Sequence, residues 1–335
     1  MNPALLFCLT LLCALGAGRV PAAEPVRVIF ETDMGNDVDD VLALDMLYKY
    51  REAGLVDLLL VSNNKGDAFS VPFIRLMNAF YGHADIPVAS SPDTLLPAQR
   101  MKQPPYTEVV VRSGEFVVPD GPAGDAVDRY RATLAAQPDR SVVIVSVGFS
   151  SNLARLLASP PDRHSDLAGR ELVARKVRLL TMMAGNFDGA GRREFNVRID
   201  IPAARAVFVL WPSDILVSPW EVGGSIFYRS PALDGIDYAA PHPLKRAYAA
   251  YLPMPYDREC WDQTAVLAGV EDPRRWFSLS PRGEVTVDDR GRTTFTPAPA
   301  GRIRILETTP RQRRRIARRI TQLVGRTPRR YAADR

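Results

Sequence analysis

Short, nearly uninterrupted apolar runs recur along this chain, and several lead into a stretch of helical spacing. The runs are Val26-Arg27-Val28-Ile29-Phe30, Leu58-Leu59-Leu60-Val61, Ile86-Pro87-Val88-Ala89, Ser141-Val142-Val143-Ile144-Val145-Ser146, Val177-Arg178-Leu179-Leu180-Thr181-Met182-Met183 and Asp214 to Ser218. Runs this apolar suit strands buried on both faces, which parallel sheets have and half-exposed antiparallel sheets lack. Between them, Val41, Leu42, Leu44 and Leu47 form a helical stripe, and helices are expected over 70–81, near 125–136, from Asn152 onward and over 202–210. The alternation predicts an α/β fold with a mainly parallel, mixed central sheet flanked by helices. Residues 91–120 lack periodicity and hold several prolines, so they read as a long loop. Gly283 to Val287 and Thr293-Thr294-Phe295 flank Asp288-Asp289-Arg290-Gly291, which predicts a C-terminal β-hairpin elaboration over about 282–305. Thr309-Pro310, followed by Ile316, Ile320, Leu323 and Val324 at helical spacing, predicts a terminal helix over about 310–325.

No linker, repeat or composition break divides residues 23–335, and 46% apolar content in 335 residues supplies one large core. A single domain is therefore expected. Residues 1–22 read as a signal peptide: an apolar run from Ala4 to Gly16 precedes small residues suited to cleavage near Ala22 or Ala23. This predicts an exported protein, periplasmic or secreted, with no membrane span after cleavage. Cys8 and Cys13 would leave with the signal, and the remaining Cys260 has no disulfide partner.

From Arg311 to Arg335 ten arginines stand against one aspartate, so the tail carries +9 of a net +5 and the rest of the chain is mildly acidic at −4. The apolar face of that segment predicts a docked helix with solvated arginines. Nucleic acid is not expected as a partner; binding through the tail would instead give steeply salt-dependent affinity. The three histidines are scattered, which argues against a zinc site. Gly148-Phe149-Ser150-Ser151-Asn152 lacks the closing glycine of a nucleophile elbow, and there is no glycine-rich phosphate loop.

The chemistry concentrates at Glu31-Thr32-Asp33-Met34-Gly35-Asn36-Asp37-Val38-Asp39-Asp40, at the end of the first expected strand. Asp33, Asp37, Asp39 and Asp40 repel one another unless neutralised, and a hard cation with oxygen ligands does this. Helix capping alone needs one or two carboxylates, not four.

With three downstream motifs, the acidic loop resembles the inosine–uridine-preferring nucleoside hydrolase family, which opens with D-x-D-x-G-x-D-D. The family's next strand ends in a turn that Asn63-Asn64 resembles, and its central strand in one like Val147-Gly148-Phe149-Ser150-Ser151-Asn152. Its ribose-binding segment is similar to Met183-Ala184-Gly185-Asn186 and Glu194-Phe195-Asn196, then Asp200. Its last metal ligand resembles Asp262 in Trp261-Asp262-Gln263-Thr264.

The resemblance implies a Ca²⁺-dependent hydrolase that splits ribonucleosides into ribose and free base. Asp33 would bind Ca²⁺ and take a proton from its water, with Asp40, Asp262 and the Val147 carbonyl as further ligands. Asp39, Asn64, Asn186, Glu194 and Asn196 would hold the substrate. Trp261 stands where pyrimidine-accepting members carry a histidine, which slightly favours purines through stacking; Trp220 and Trp276 are expected to pack. Glu31 replaces the family's first aspartate, and Asp37-Val38 lengthen the loop, so Asp37 is an alternative to Asp39 or Asp40 in either role. A same-fold hydrolase of another riboside or sugar conjugate, and a non-catalytic exported nucleoside- or carbohydrate-binding protein, are the rival readings. A homo-oligomer is left open.

Overall fold

The computed structural model describes residues 24–91 and 105–332. Its centre is a mixed sheet. The strands are β1 (Val26–Thr32), β2 (Val56–Asn63), β3 (Val88–Ser90), β4 (Gly124–Asp125), β5 (Val142–Ser146), β6 (Val177–Met183) and β7 (Asp214–Ser218). A short ribbon, β8 (Phe227–Tyr228) with β9 (Arg258–Glu259), stands apart, and β10 (Ser278–Leu279), β11 (Gly283–Val287), β12 (Thr293–Pro297) and β13 (Ile303–Glu307) complete the set. The order is β12-β11-β13-β7-β6-β5-β1-β2-β3-β4, with β10 beside β13. Neighbours from β4 through to β13 run parallel.

Helices cover both faces, which is why the strands carry apolar residues on both sides. One face bears α1 (Asp39–Glu52), α2 (Ser70–Phe80), α3 (Tyr106–Arg112), α11 (Pro243–Tyr251), α12 (Trp261–Val270) and α13 (Pro310–Val324). The other bears α4 (Ala126–Ala135), α5 (Ser151–Ala158), α6 (Gly169–Lys176) and α8 (Ile201–Leu210). Short helices α7 (Phe195–Ile199), α9 (Trp220–Gly223) and α10 (Ser230–Asp234) lie in the connections. Along β1, Val28 and Phe30 enter the first core while Ile29 enters the second. The expected stripe on α1 is wider than predicted: every residue from Asp39 to Tyr50 is buried, because the helix lies between the sheet, α12, α11 and α13. Lys49 survives there by donating to the Tyr238 hydroxyl at 2.8 Å and the Arg326 carbonyl at 2.5 Å, with Asp45 at 3.9 Å.

One expectation needs correction. The segment 91–120 is not all loop, since α3 begins directly after Pro105; residues 92–104 lie outside the described residues. The C-terminal hairpin is present as expected, β11 antiparallel to β12, and it joins the main sheet through β13, which pairs with β7. The terminal helix is capped as its sequence implies. Gln312 N–H donates to the Thr309 hydroxyl, the Gln312 side chain accepts from Thr309 N–H, and Ile316, Ile320, Leu323 and Val324 are buried. Among the described residues no helix is long and apolar enough to cross a membrane. The signal-peptide segment lies outside the described residues.

Candidate active site

From β1 the chain moves outward through β2, β3 and β4, then returns to β5 on the other side of β1. The connections leaving β1 and β5 therefore diverge and open a crevice at the carboxyl ends of the strands, where open α/β sheets place ligands. The acidic loop lies at this point. It turns at Gly35, whose φ of +107° is costly for any residue with a side chain, and a Cβ there would meet Lys65 Nζ at 3.2 Å and Thr107 at 3.3 Å. The Tyr106 hydroxyl on α3 accepts from Gly35 N–H at 2.9 Å and donates to the Asp37 carbonyl at 2.9 Å, so the helix missed in the sequence roofs the loop.

Asp39 and Asp40 fall in the first turn of α1, and Asp262 in the first turn of α12. The two helix starts are tied together. Asp262 N–H donates to the Asp39 carboxylate at 3.2 Å, and the Gln263 amide donates to the Asp39 carbonyl at 2.8 Å. Thr32 holds Asp40 through its hydroxyl. Carboxylate oxygens of Asp39, Asp40 and Asp262 lie within 4.8 Å of one another, all buried. Burial raises all three well above the ordinary aspartate range, and neighbouring carboxylates add to it: Asp37 beside Asp39, Asp33 and Asp39 beside Asp40, and Asp39 and Asp40 beside Asp262. Asp33, also buried, is pushed up to about 6 by burial, with the Asn36 amide and Lys65 opposing the rise. Two helix N-termini favour negative charge here but supply only partial positive charge. A hard cation suits the donor set: several buried carboxylate oxygens, no sulfur and no imidazole.

Asp37 does not join the cluster. The Arg258 guanidinium takes both its oxygens, Nε at 2.8 Å, and Oδ1 also accepts from Val38 N–H at 2.6 Å. The loop extension is thus paired with its own arginine, which separates Asp37 from Asp39 and Asp40 in a way the sequence left open.

The crevice holds a cavity of about 250 Å³ lined by Asp33, Asn36, Asp37, Asp39, Asp40, Val147, Met183, Glu194, Phe195, Asn196, Trp220, Trp261 and Asp262. Glu194 caps α7, accepting from Asn196 N–H at 2.7 Å, Val197 N–H at 3.0 Å and Gly185 N–H at 3.0 Å; burial still lifts it to about 7. Asn196 spends its amide N–H groups on the Val147 carbonyl at 2.8 Å and the Met183 carbonyl at 3.1 Å. Its amide oxygen is the group left for a ligand, and the Val147 carbonyl keeps a second lone pair.

Two residues expected at the substrate are placed elsewhere. Asn64 is fully buried behind the loop, donating to Glu31 at 3.0 Å and to the Phe149 carbonyl at 2.6 Å, and does not line the cavity. Glu31 is itself buried, lifted to about 7, and bonded by Tyr130. This Glu31–Asn64 pair binds β1, β2 and the turn after β5 together. Asn186 donates to Glu221 at 3.1 Å and is fixed to Thr293 of β12, so it faces a neighbouring cavity. Trp220 is corrected in the opposite sense. Expected to pack, it lines the site beside Trp261, with ring centroids 6.2 Å apart and the Trp261 indole N–H on its carbonyl at 3.0 Å. Trp276 packs as expected, bonded to Glu271 at 2.9 Å. Arg258, Tyr106 and Thr32 were not singled out in the sequence; their partners lie far along the chain or are short-range contacts with no motif.

Compared with known proteins, residues 28–319 match the family model described as inosine-uridine preferring nucleoside hydrolase. No curated protein matches by sequence. Among solved structures, a plant nucleoside hydrolase superposes with TM-score 0.69 at 19% identity, covering 90% of this chain and 100% of the other. A purine-preferring ribonucleoside hydrolase from Gardnerella vaginalis gives 0.67 at 18%, covering 89% and 99%. An inosine-uridine preferring nucleoside hydrolase from Bacillus anthracis gives 0.62 at 20%, covering 89% and 99%. At these identities the structural likeness speaks to the fold.

Proposed function

The chain belongs to the inosine–uridine-preferring nucleoside hydrolase family, metal-dependent hydrolases of N-glycosyl compounds, and on that premise we propose that it hydrolyses ribonucleosides with Ca²⁺, favouring purines. The observation that carries the reading is the meeting of the buried side chains of Asp33, Asp39, Asp40 and Asp262 in one open cavity walled by Trp220 and Trp261.

Asp33, Asp40, Asp262 and the Val147 carbonyl would hold the ion, with Asp39, whose carboxylate lies within 4.8 Å of those of Asp40 and Asp262, beside them. Ca²⁺, when bound, supplies positive charge that acidifies water and orients the sugar diol. Asp33 is the proton acceptor: its buried carboxylate stands beside the cluster, where burial raises its basicity and a bound cation would keep it ionised. Asp39, Glu194 and Asn196 face the sugar, and their oxygens stabilise the positive charge that develops on the ribose ring as the glycosidic bond breaks. The two indoles offer π-faces to the departing base, and a purine covers more of them than a pyrimidine. A non-catalytic binder would have no use for a carboxyl of raised basicity beside a cation cluster. We further propose that residues 1–22 are an export signal and that the remainder folds as one domain.

One observation favours a second reading, a larger riboside conjugate. Across the Gly185–Asn196 segment lies a cavity of about 660 Å³ lined in part by Asn186, Glu221, Arg192, Arg292 and Arg313, and the Arg192 guanidinium stacks 3.9 Å from the Trp220 ring centroid. Ribose release from purine and pyrimidine nucleosides, and from their phosphate-bearing conjugates, separates the readings. Wild type should act best on free purine nucleosides and Asp33→Ala should be inactive; turnover confined to conjugates would transfer the assignment to the second reading.

A further inference from the structure

Arg258 lies outside the cavity lining, yet it touches two residues that form it. Its Nε and Nη2 grip both oxygens of Asp37, its Nη1 donates to Glu259 at 3.2 Å, and its guanidinium lies 4.9 Å from the Trp261 ring centroid and 5.3 Å from that of Tyr251. Its side chain is only 14% exposed. Three of its five N–H groups are thus committed to protein carboxylates, and the residue does not line the cavity. The residue is carried on β9, paired antiparallel with β8, and the Cys260 N–H that follows is bonded to the Ile226 carbonyl at 2.9 Å. On the other side, Asp37 is held at its carbonyl by Tyr106, whose ring meets that of Tyr251 edge-on at 6.1 Å.

We propose that Arg258 is a positioning residue that locks the extended acidic loop and the base-side indole of Trp261 into one unit, and that it does so at the expense of cation affinity. The inference rests on the proposed function for its substrate, but its electrostatic half does not. A planar, bidentate guanidinium between a carboxylate and an aromatic face fixes distance and plane at once, which a lysine ammonium cannot do. Its full positive charge also stands close to Asp39 and Asp37, beside the carboxylate cluster. That charge opposes a cation at the cluster while it neutralises a carboxylate that would otherwise compete for one.

The two halves predict opposite signs. Arg258→Met should raise KM for purine nucleosides roughly tenfold, the scale of a lost charge–ring and ring-orienting contact, with kcat little changed. The same variant should bind a cation several-fold more tightly, because a positive charge is gone and Asp37 is freed. Arg258→Lys keeps the charge without the fork, so KM should rise while cation affinity stays near wild type. Cation affinity is read from Tb³⁺ luminescence sensitised by the nearby indoles, with Tb³⁺ as the probe for a hard, oxygen-liganded ion, and it needs no turnover. If Arg258→Met does not fold, Arg258→Gln, which also removes the charge and leaves Asp37 ionised, carries the same comparison. Weaker Tb³⁺ binding in Arg258→Met, or an unchanged KM in a folded Arg258→Lys, would overturn the proposal. A wild type that releases ribose from no nucleoside would instead remove the proposed function, leaving the Tb³⁺ result to be judged by itself.

Discussion

Asp262→Asn separates a cation site from a merely acidic crevice, because it should stabilise the cation-free protein and deprive the loaded one of its gain. The carboxylate oxygens of Asp39, Asp40 and Asp262 lie within 4.8 Å of each other, so each ionised pair costs about 3.5 kcal/mol at an effective dielectric of about 20. Neutralising Asp262 removes two of the three pairs. Proton uptake already relieves part of this repulsion, as the raised pKa values of all three groups indicate, so the net gain expected is roughly 2–4 kcal/mol, or roughly 4–8 °C in Tm for a chain of this size. No hydrogen bond of the Asp262 side chain is lost, and its backbone N–H still serves Asp39. In wild type, Ca²⁺ at about 100 times its Kd should add about 2.7 kcal/mol; in the variant that increment should nearly vanish. Thermal unfolding of both proteins, in chelator and in Ca²⁺, reads the four values. An Asp262→Asn protein that melts lower than wild type in chelator, or keeps the full Ca²⁺ increment, would refute the repulsion argument.

Glu31 and Glu194 are lifted by burial from 4.5 to about 7, so between those values the folded chain binds protons the unfolded chain does not. Stability of the chelated protein should therefore fall as pH rises from about 5 to 8, and a Tm that climbs over this range would contradict the burial of both groups. Thr32→Val removes the hydroxyl that orients Asp40, and Tb³⁺ titration should show cation affinity lower by roughly tenfold or more. Trp220→Ala and Trp261→Ala should each raise KM for inosine roughly tenfold with less effect on kcat, the scale of one lost stacking face; equal losses for purine and pyrimidine ribosides would place the base elsewhere.

What could be read from the chain was whatever local pattern or motif carries. The strands around β1, β5, β6 and β7 are legible because each is buried on both faces, and that burial demands uninterrupted apolar runs. Asp33, Asp40, Asp262, Glu194 and Asn196, which the fold brings to one cavity, are legible because each stands in a short motif at the end of an element. What could not be read depends on partners distant in sequence. Asp37 looks like any other acid of the loop until Arg258, 221 residues away, takes its charge. Trp220 and Trp276 are equally aromatic, and only the divergence of chain after β7 puts one in the cavity and the other in the core. Asn64 and Asn186 sit in turns of the right shape, but the amide of one is drawn back by Glu31 and that of the other sideways by Glu221. Helix α3 was hidden by the prolines before it, although Tyr106 then fixes the loop from above.

The most direct test follows ribose release from inosine by one enzyme sample through three conditions: as purified with Ca²⁺, after exhaustive chelation, and after Ca²⁺ is returned. Hydrolysis should be lost on chelation and recovered on return, with Asp33→Asn inactive throughout although it still binds Tb³⁺. Undiminished ribose release in chelator, or robust turnover by Asp33→Asn, would contradict the assignment of Asp33 and its carboxylate cluster as the hydrolytic centre.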